Sequence, residues 1–310
     1  MFLKYIIRNN YKYRRKYVLN KITNFGIDLL KIDIKKIKNK IIKDLKNQIP
    51  ELVNNKYDFK ITQLRSKKNS VVHLVFNKKP LDLPREFVIK IFRTRDIASE
   101  INILKRLKNQ KIQVPKILLF KNPYLILEKI NGVNLSDFIN ENLMDVKELN
   151  DLNSNTLNRI TQSIEKLAEW FAFFHEKNIV RKKEVPDILV LNKGNNRLRD
   201  FIMDFSKNIL YGTDFEESYE GNHLDDLAWI CCSLLDTNPG IFEMGDPKQK
   251  IELINIFLKK YYQTTSSLQF DFNYLAEKII EDLNIVIQRR GIPFGLLSKS
   301  NSINYISKEI

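Results

Sequence analysis

Apolar positions change period along this chain, and the changes divide it into regions. Over residues 27–47, Ile27, Leu30, Ile34, Ile37 and Ile41 recur at helical spacing with lysines between them. That predicts an amphipathic helix, ended by a turn near Pro50. The pattern then becomes alternating: Phe59, Ile61 and Leu64, followed by Val72, Leu74 and Phe76, predict two strands. A Pro80–Pro84 turn precedes a β-rich run from Phe87 to Phe92. Ile101, Leu104 and Leu107 share one face of a helix predicted over 97–107, which Val114-Pro115 breaks. Two more strands are expected at 117–120 and 124–128, around a Lys121-Asn122-Pro123 turn.

From Leu135 onward the spacing is helical. Ile160, Ile164, Leu167, Phe171 and Phe174 line one side of a helix over 157–174. A hairpin is expected next, with strands at 188–191 and 201–203 and Lys193-Gly194-Asn195-Asn196 as its turn. Helices dominate after Leu224. Strands gathered early and helices late indicate an α+β chain with a small sheet-rich lobe and a larger helical lobe. The boundaries expected are a basic helical N-terminal extension at 1–57, the sheet lobe at 58–130, the helical lobe at 131–295 and a loose tail at 296–310.

Composition narrows the picture. The 310 residues are 43% apolar, enough for one large domain or two small ones. Cys231 and Cys232 are the only cysteines, and neighbours in sequence build no disulfide framework, which points to a reducing, cytoplasmic setting. No apolar run approaches the roughly 18 residues a membrane span requires. Of the net charge of +15, most is concentrated at the start: residues 1–50 hold fourteen Lys and Arg against Asp28, Asp33 and Asp44. Tyr5, Tyr11, Tyr13 and Tyr17 are interleaved with them. Cations beside aromatic rings suit RNA or an anionic membrane surface as a partner, whereas a solvated lysine-rich helix is the plain alternative.

Several short motifs carry possible chemistry. Lys90 sits inside the apolar strand Val88-Ile89-Lys90-Ile91, and Glu100 follows on the next helix. Leu127-Glu128-Lys129-Ile130-Asn131-Gly132-Val133-Asn134-Leu135 leads from strand to helix. Phe201-Ile202-Met203-Asp204-Phe205-Ser206 ends a strand on a carboxylate, and Leu224-Asp225-Asp226-Leu227-Ala228-Trp229 opens a helix. In order and spacing these segments, over residues 58–265, resemble the protein-kinase-like superfamily. The likeness is to its compact members, such as aminoglycoside phosphotransferases, lipopolysaccharide sugar kinases and RIO-like kinases.

The resemblance implies a bilobal kinase-like fold that binds ATP and Mg2+ and transfers phosphate to a hydroxyl of a protein, RNA or small molecule. It implies that Lys90 holds the α- and β-phosphates with Glu100 positioning it, and that Glu128 and Ile130 lie in the hinge facing adenine. Asp204 and Asp187 become the metal ligands, and Asp226 braces the catalytic loop. Two departures stand out. The expected phosphate-covering loop, Arg65 to Val71, has no glycine, although Lys67 and Lys68 add charge. In Arg181-Lys182-Lys183-Glu184-Val185-Pro186-Asp187 the usual aspartate base is replaced by Lys182 or Lys183. A lysine accepts a proton only with a strongly depressed pKa, so Glu184 is the candidate surrogate base. His175 reads as a helix C-terminal residue. The rival expectation is a pseudokinase, a nucleotide-sensing module that binds RNA, a membrane or a protein partner.

Overall fold

The computed structural model describes residues 34–64, 69–93, 97–180, 188–238, 240–241 and 248–292. The start of the expected first helix, Arg65–Lys68, the Arg181–Asp187 loop and the expected tail lie outside them. The described chain forms two compact units, one of residues 34–108 and 115–131, the other of 109–114 and 132–292. The first is sheet-rich and the second mainly helical, an α+β arrangement as the residue pattern predicts. No helix among the described residues is long and apolar enough to cross a membrane.

In the sheet unit, helix α1 (Ile34–Leu45) precedes strands β1 (Phe59–Leu64), β2 (Ser70–Phe76) and β3 (Glu86–Ile91). Helix α2 (Ala98–Asn109) follows, then β4 (Ile117–Lys121) and β5 (Tyr124–Glu128). The strands form one antiparallel sheet in the order β1-β2-β3-β5-β4. Pairing sets Phe59 against Phe76, Leu74 against Phe87 and Ile89 against Ile126, so alternate residues stack apolar on one face. Ile41 and Leu45 of α1, with Ile49 and Leu52 after it, join that same buried cluster. The described part of the expected basic extension is therefore built into the core of the sheet unit. The single carboxylate of α1, Asp44, accepts a hydrogen bond from the Tyr124 hydroxyl, and Lys121 Nζ donates to the Asp44 carbonyl. Lys38 Nζ donates to the Phe59 carbonyl at 3.0 Å and lies over the Phe59 ring.

In the helical unit, β6 (Val133–Asn134) leads into α3 (Leu135–Leu143) and the long α4 (Ser154–Lys177). Strands β7 (Ile179–Val180), β8 (Leu189–Asn192), β9 (Phe201–Asp204), β10 (Ile209–Gly212) and β11 (Tyr219–Gly221) come next. Helices α5 (His223–Asp236), α6 (Lys248–Thr264) and α7 (Phe272–Arg290) complete it. Asparagine side chains cap three of these helices: Asn134 accepts from Ser136 N, Asn153 from Thr156 N and Asn222 from Leu224 N. The core gathers on α4, where Trp170 stacks on Phe174 and meets Phe171 and Phe201 edge-on.

One expectation is overturned here. Strands β8 and β9 are not a hairpin: β8 pairs with β7 and β11, and β9 pairs with β6 and β10. The connection between them is too long for a tight turn. It is held by partners outside the strands, because Lys193 and Gly194 donate their N–H groups to Asp226 of α5.

Two measurements test this packing. Leu45→Ala should lower unfolding stability by about 2–5 kcal/mol, as truncation of a fully buried leucine does, while Lys43→Ala on the exposed side should change it little. Asp282 on α7 is nearly enclosed, and burial pushes its carboxyl up to about 8. The folded chain thus keeps a proton there that the unfolded chain gives up near pH 4. Stability from this group is full below pH 4 and falls as pH rises towards 8. Asp282→Asn should therefore stabilise most at pH 8 and not at all at pH 4, read by urea unfolding at each pH.

Candidate functional site

Both units bury charged groups among apolar side chains: Lys90 and Glu100 in the sheet unit, and Asp204 and Asp226 among others in the helical unit. In the sheet unit, period two turns Lys90 away from the face occupied by Phe87, Ile89 and Ile91. Strands β2 and β5 flank it, with Val71 and Leu125 opposite. Its Nζ donates to Glu100 Oε2 at 2.8 Å, with the two side chains 8% and 2% exposed. Glu100 stands in the first turn of α2, where the helix dipole favours a negative charge. Lys90 Nζ also lies 5.0 Å from the centre of the Phe92 ring. The structure therefore pairs the two residues that the sequence pattern singled out.

At the end of β5, Glu128 Oε1 accepts from Lys116 N at 2.8 Å, and its own N–H donates to the Lys116 carbonyl. Ile130 is buried, and its carbonyl accepts from Lys129 Nζ at 2.8 Å. Gly132, at the start of the helical unit, has a physical reason to be glycine. A Cβ there would lie 2.6 Å from the Met203 carbonyl, because β6 runs directly beside β9.

Strand β9 lies in the middle of its three-stranded sheet and ends at Asp204. Asp204 Oδ1 accepts from Ser206 Oγ at 2.6 Å, Ser206 N at 3.0 Å and Lys207 N at 3.2 Å; Oδ2 is 3.3 Å from Lys207 Nζ. The Ser206 hydroxyl, helped by Lys207, holds this carboxyl below the usual carboxylate range. Phe205 turns into an aromatic stack, 4.9 Å from Phe138, with the Arg159 guanidinium 4.2 Å from its ring centre. Arg159 carried no signal in the sequence. It lies on α4, far from any motif.

The second carboxylate, Asp226, is fully enclosed. Its Oδ2 accepts from Lys193 N at 2.7 Å, its Oδ1 accepts from Gly194 N at 3.0 Å, and His175 Nε2 is 3.2 Å from Oδ2. His175 Nδ1 faces the Tyr261 hydroxyl at 2.8 Å. With the hydrogen on Nε2, the ring donates to Asp226 and its Nδ1 accepts from the Tyr261 hydroxyl. His175 lies in the last turn of α4, as the sequence suggests, and there it is a buried link between helices. Lys193 is equally enclosed: its Nζ donates to the Asp214 carbonyl at 2.9 Å and lies over the Phe201 and Phe215 rings. Gly194, at φ +74°, adopts a backbone conformation that favours glycine, and a Cβ there would lie 2.2 Å from the Glu217 carbonyl.

No family model matches the sequence, and no curated protein matches it. Solved structures do. A glucosamine kinase in complex with glucosamine, ADP and inorganic phosphate superposes with a TM-score of 0.52 at 10% identity, covering 78% of this chain and 80% of its own. A choline kinase from Streptococcus pneumoniae gives 0.51 at 13% identity, covering 84% and 94%. An amicoumacin kinase in complex with AMP-PNP, Ca2+ and Ami gives 0.50 at 14% identity, covering 78% and 84%. The chain has the protein-kinase-like fold.

Among the described candidates, Lys90 lies within β3, Glu100 at the start of α2, Glu128 at the end of β5 with Ile130 just after it, and Asp204 at the end of β9. Lys90, Glu100, Glu128 and Ile130 belong to the sheet unit, and Asp204 to the helical unit. Glu184 and Asp187, with Lys182 and Lys183, lie outside the described residues. Asp226 braces the turn after β8, accepting from the N–H groups of Lys193 and Gly194, and the 181–187 loop it was expected to brace lies outside the described residues. A signal for this was present: a lysine-glycine pair closing a strand, and an acidic residue early in a later helix. Asp226→Asn should reduce unfolding stability by roughly 1.5–3 kcal/mol, the range for hydrogen bonds to a charged group, and Tyr261→Phe by about 1 kcal/mol. Denaturant unfolding at neutral pH reads both.

Proposed function

We propose that this chain is an ATP-dependent phosphotransferase that acts on a hydroxyl group of a small molecule, with ATP and Mg2+ as cofactors. The observation that carries the reading is the buried Lys90–Glu100 ion pair on a central strand. Such a pair is expensive to bury and gives little stability over apolar packing, so its retention fits a role as a charge held ready for an anion. Lys90 would neutralise the nucleotide phosphates, Glu100 would aim it, and the backbone around Glu128 and Ile130 would meet adenine. Asp204 suits a hard cation: it is a carboxylate held ionised at the end of a central strand. Asp187 is the second proposed metal ligand. Bound Mg2+ would supply charge neutralisation on the phosphate oxygens.

Small molecules are favoured as acceptors because the neighbours are named for choline, glucosamine and amicoumacin. Cys231 and Cys232 are free, buried thiols whose pKa burial raises, which fits a reducing cytoplasmic compartment. A second reading has one observation in its favour. The base position in the sequence holds Lys182 or Lys183, so the chain would bind nucleotide as a pseudokinase unless Glu184 accepts the proton.

Thermal shift with Mg-ATP separates these readings from neither. The melting temperature of the intact chain should rise, and the rise should disappear in Asp204→Ala and in the charge-free pair Lys90→Met/Glu100→Gln. No rise in the intact chain removes both readings. Transfer of γ-phosphate to a panel of amino alcohols and amino sugars then decides between them. Activity that drops at least tenfold in Glu184→Gln supports the enzyme, whereas binding without transfer leaves the pseudokinase.

A further inference from the structure

Helix α1 uses its two sides for different purposes. Ile41 and Leu45 are fully buried against the sheet, and Ile37 and Ile42 pack on the same cluster. The opposite side carries Lys36, Lys40 and Lys43, spaced by four and three residues, with Lys46 one turn further on; all four are exposed. At helical spacing the first three fall in one narrow band, with neighbours roughly 5–6 Å apart. No carboxylate interrupts that band, because Asp44 is turned inward onto the Tyr124 hydroxyl. Lys60 on β1 and Lys56 before it are also exposed, so residues 34–64 carry eight lysines against three acids.

This arrangement distinguishes two kinds of anionic partner. An amphipathic helix that binds a membrane inserts its apolar face between headgroups. On α1 that face is already occupied by the sheet. Along the outer band only ammonium groups remain, and the exposed apolar residue of the helix, Ile34, sits at its first position on the side away from that band. A regular line of phosphates matches it. Each lysine placed on a phosphate releases condensed counterions, which gives affinity without sequence preference. We propose that the outer face of α1 binds the phosphate backbone of single-stranded RNA, Lys40, Lys43 and Lys46 being the principal contacts. RNA is here a docking partner and not the phosphate acceptor, so the proposal stands apart from the catalytic reading.

The test uses the full chain and fluorescent oligouridine, titrated at several salt concentrations. Lys40→Gln/Lys43→Gln/Lys46→Gln should weaken binding at least tenfold and reduce the slope of log K against log salt by about 2, for three phosphate contacts on a single strand. The three side chains are exposed, so the melting temperature should not change. Lys78→Gln/Lys79→Gln/Lys108→Gln removes the same charge from exposed positions elsewhere on the sheet unit and should leave the slope unchanged. Equal losses in the two variants, an unaltered slope in the first, or no binding by the intact chain overturns the proposal. So does stronger, Lys40/Lys43/Lys46-dependent binding to phosphatidylserine-containing vesicles than to oligouridine.

Discussion

A charge removed from water must meet an opposite charge or a set of hydrogen-bond donors, and this requirement fixes much of the geometry in both units. Lys90 lies on the third strand of a sheet with a neighbour on each side, and its ammonium group ends beside Glu100. The start of α2 has to stand over β3 for that contact to exist. In the helical unit Asp226 plays the corresponding part. It draws together the turn after β8, the end of α4 and, through His175, the Tyr261 hydroxyl of α6. Removing one partner from such a group leaves an uncompensated charge that costs several kcal/mol. These contacts therefore govern where helices lie as much as the apolar core does.

Local periodicity made part of this legible. Alternation located β1 and β2, continuous apolar runs beside turns located β3, β4 and β5, and Lys90 stood out as a lone cation within such a run. The Glu100 partner was implied by the resemblance to kinase-like proteins, and the structure shows the ion pair. Gly132 was visible as a likeness, and the structure supplies its cause in the close approach of β6 to β9. What the sequence could not display was pairing chosen at a distance. Strands β8 and β9 looked like a hairpin because they are neighbours in sequence. Their actual partners are β7 with β11, and β6 with β10, short segments of two to four residues with too little pattern to read. Lys193 read only as part of a turn, and in the structure two phenylalanine rings and the Asp214 carbonyl surround its ammonium group. Arg159 and His175 became visible only when α4 was set against β9, α5 and α6.

For the proposed chemistry, the departure in the catalytic loop weighs less than it would for many reactions. Phosphoryl transfer makes modest demands on a base and large ones on alignment and charge neutralisation. Asp204 is well prepared for the latter. The Ser206 hydroxyl holds the carboxylate, and the Arg159 guanidinium lies over the neighbouring Phe205 ring.

Helix α1 divides its residues cleanly between folding and surface, and this has an evolutionary consequence. Ile41 and Leu45 answer to the core, whereas Lys40 and Lys43 stand exposed on the other side. Drift could recolour the outer face to neutral or acidic without a penalty in folding. Any lineage in which that face stays basic while the rest of the surface diverges is therefore recording selection by something outside the protein, and the helix becomes a place where natural variation separates the history of the fold from the history of its partner.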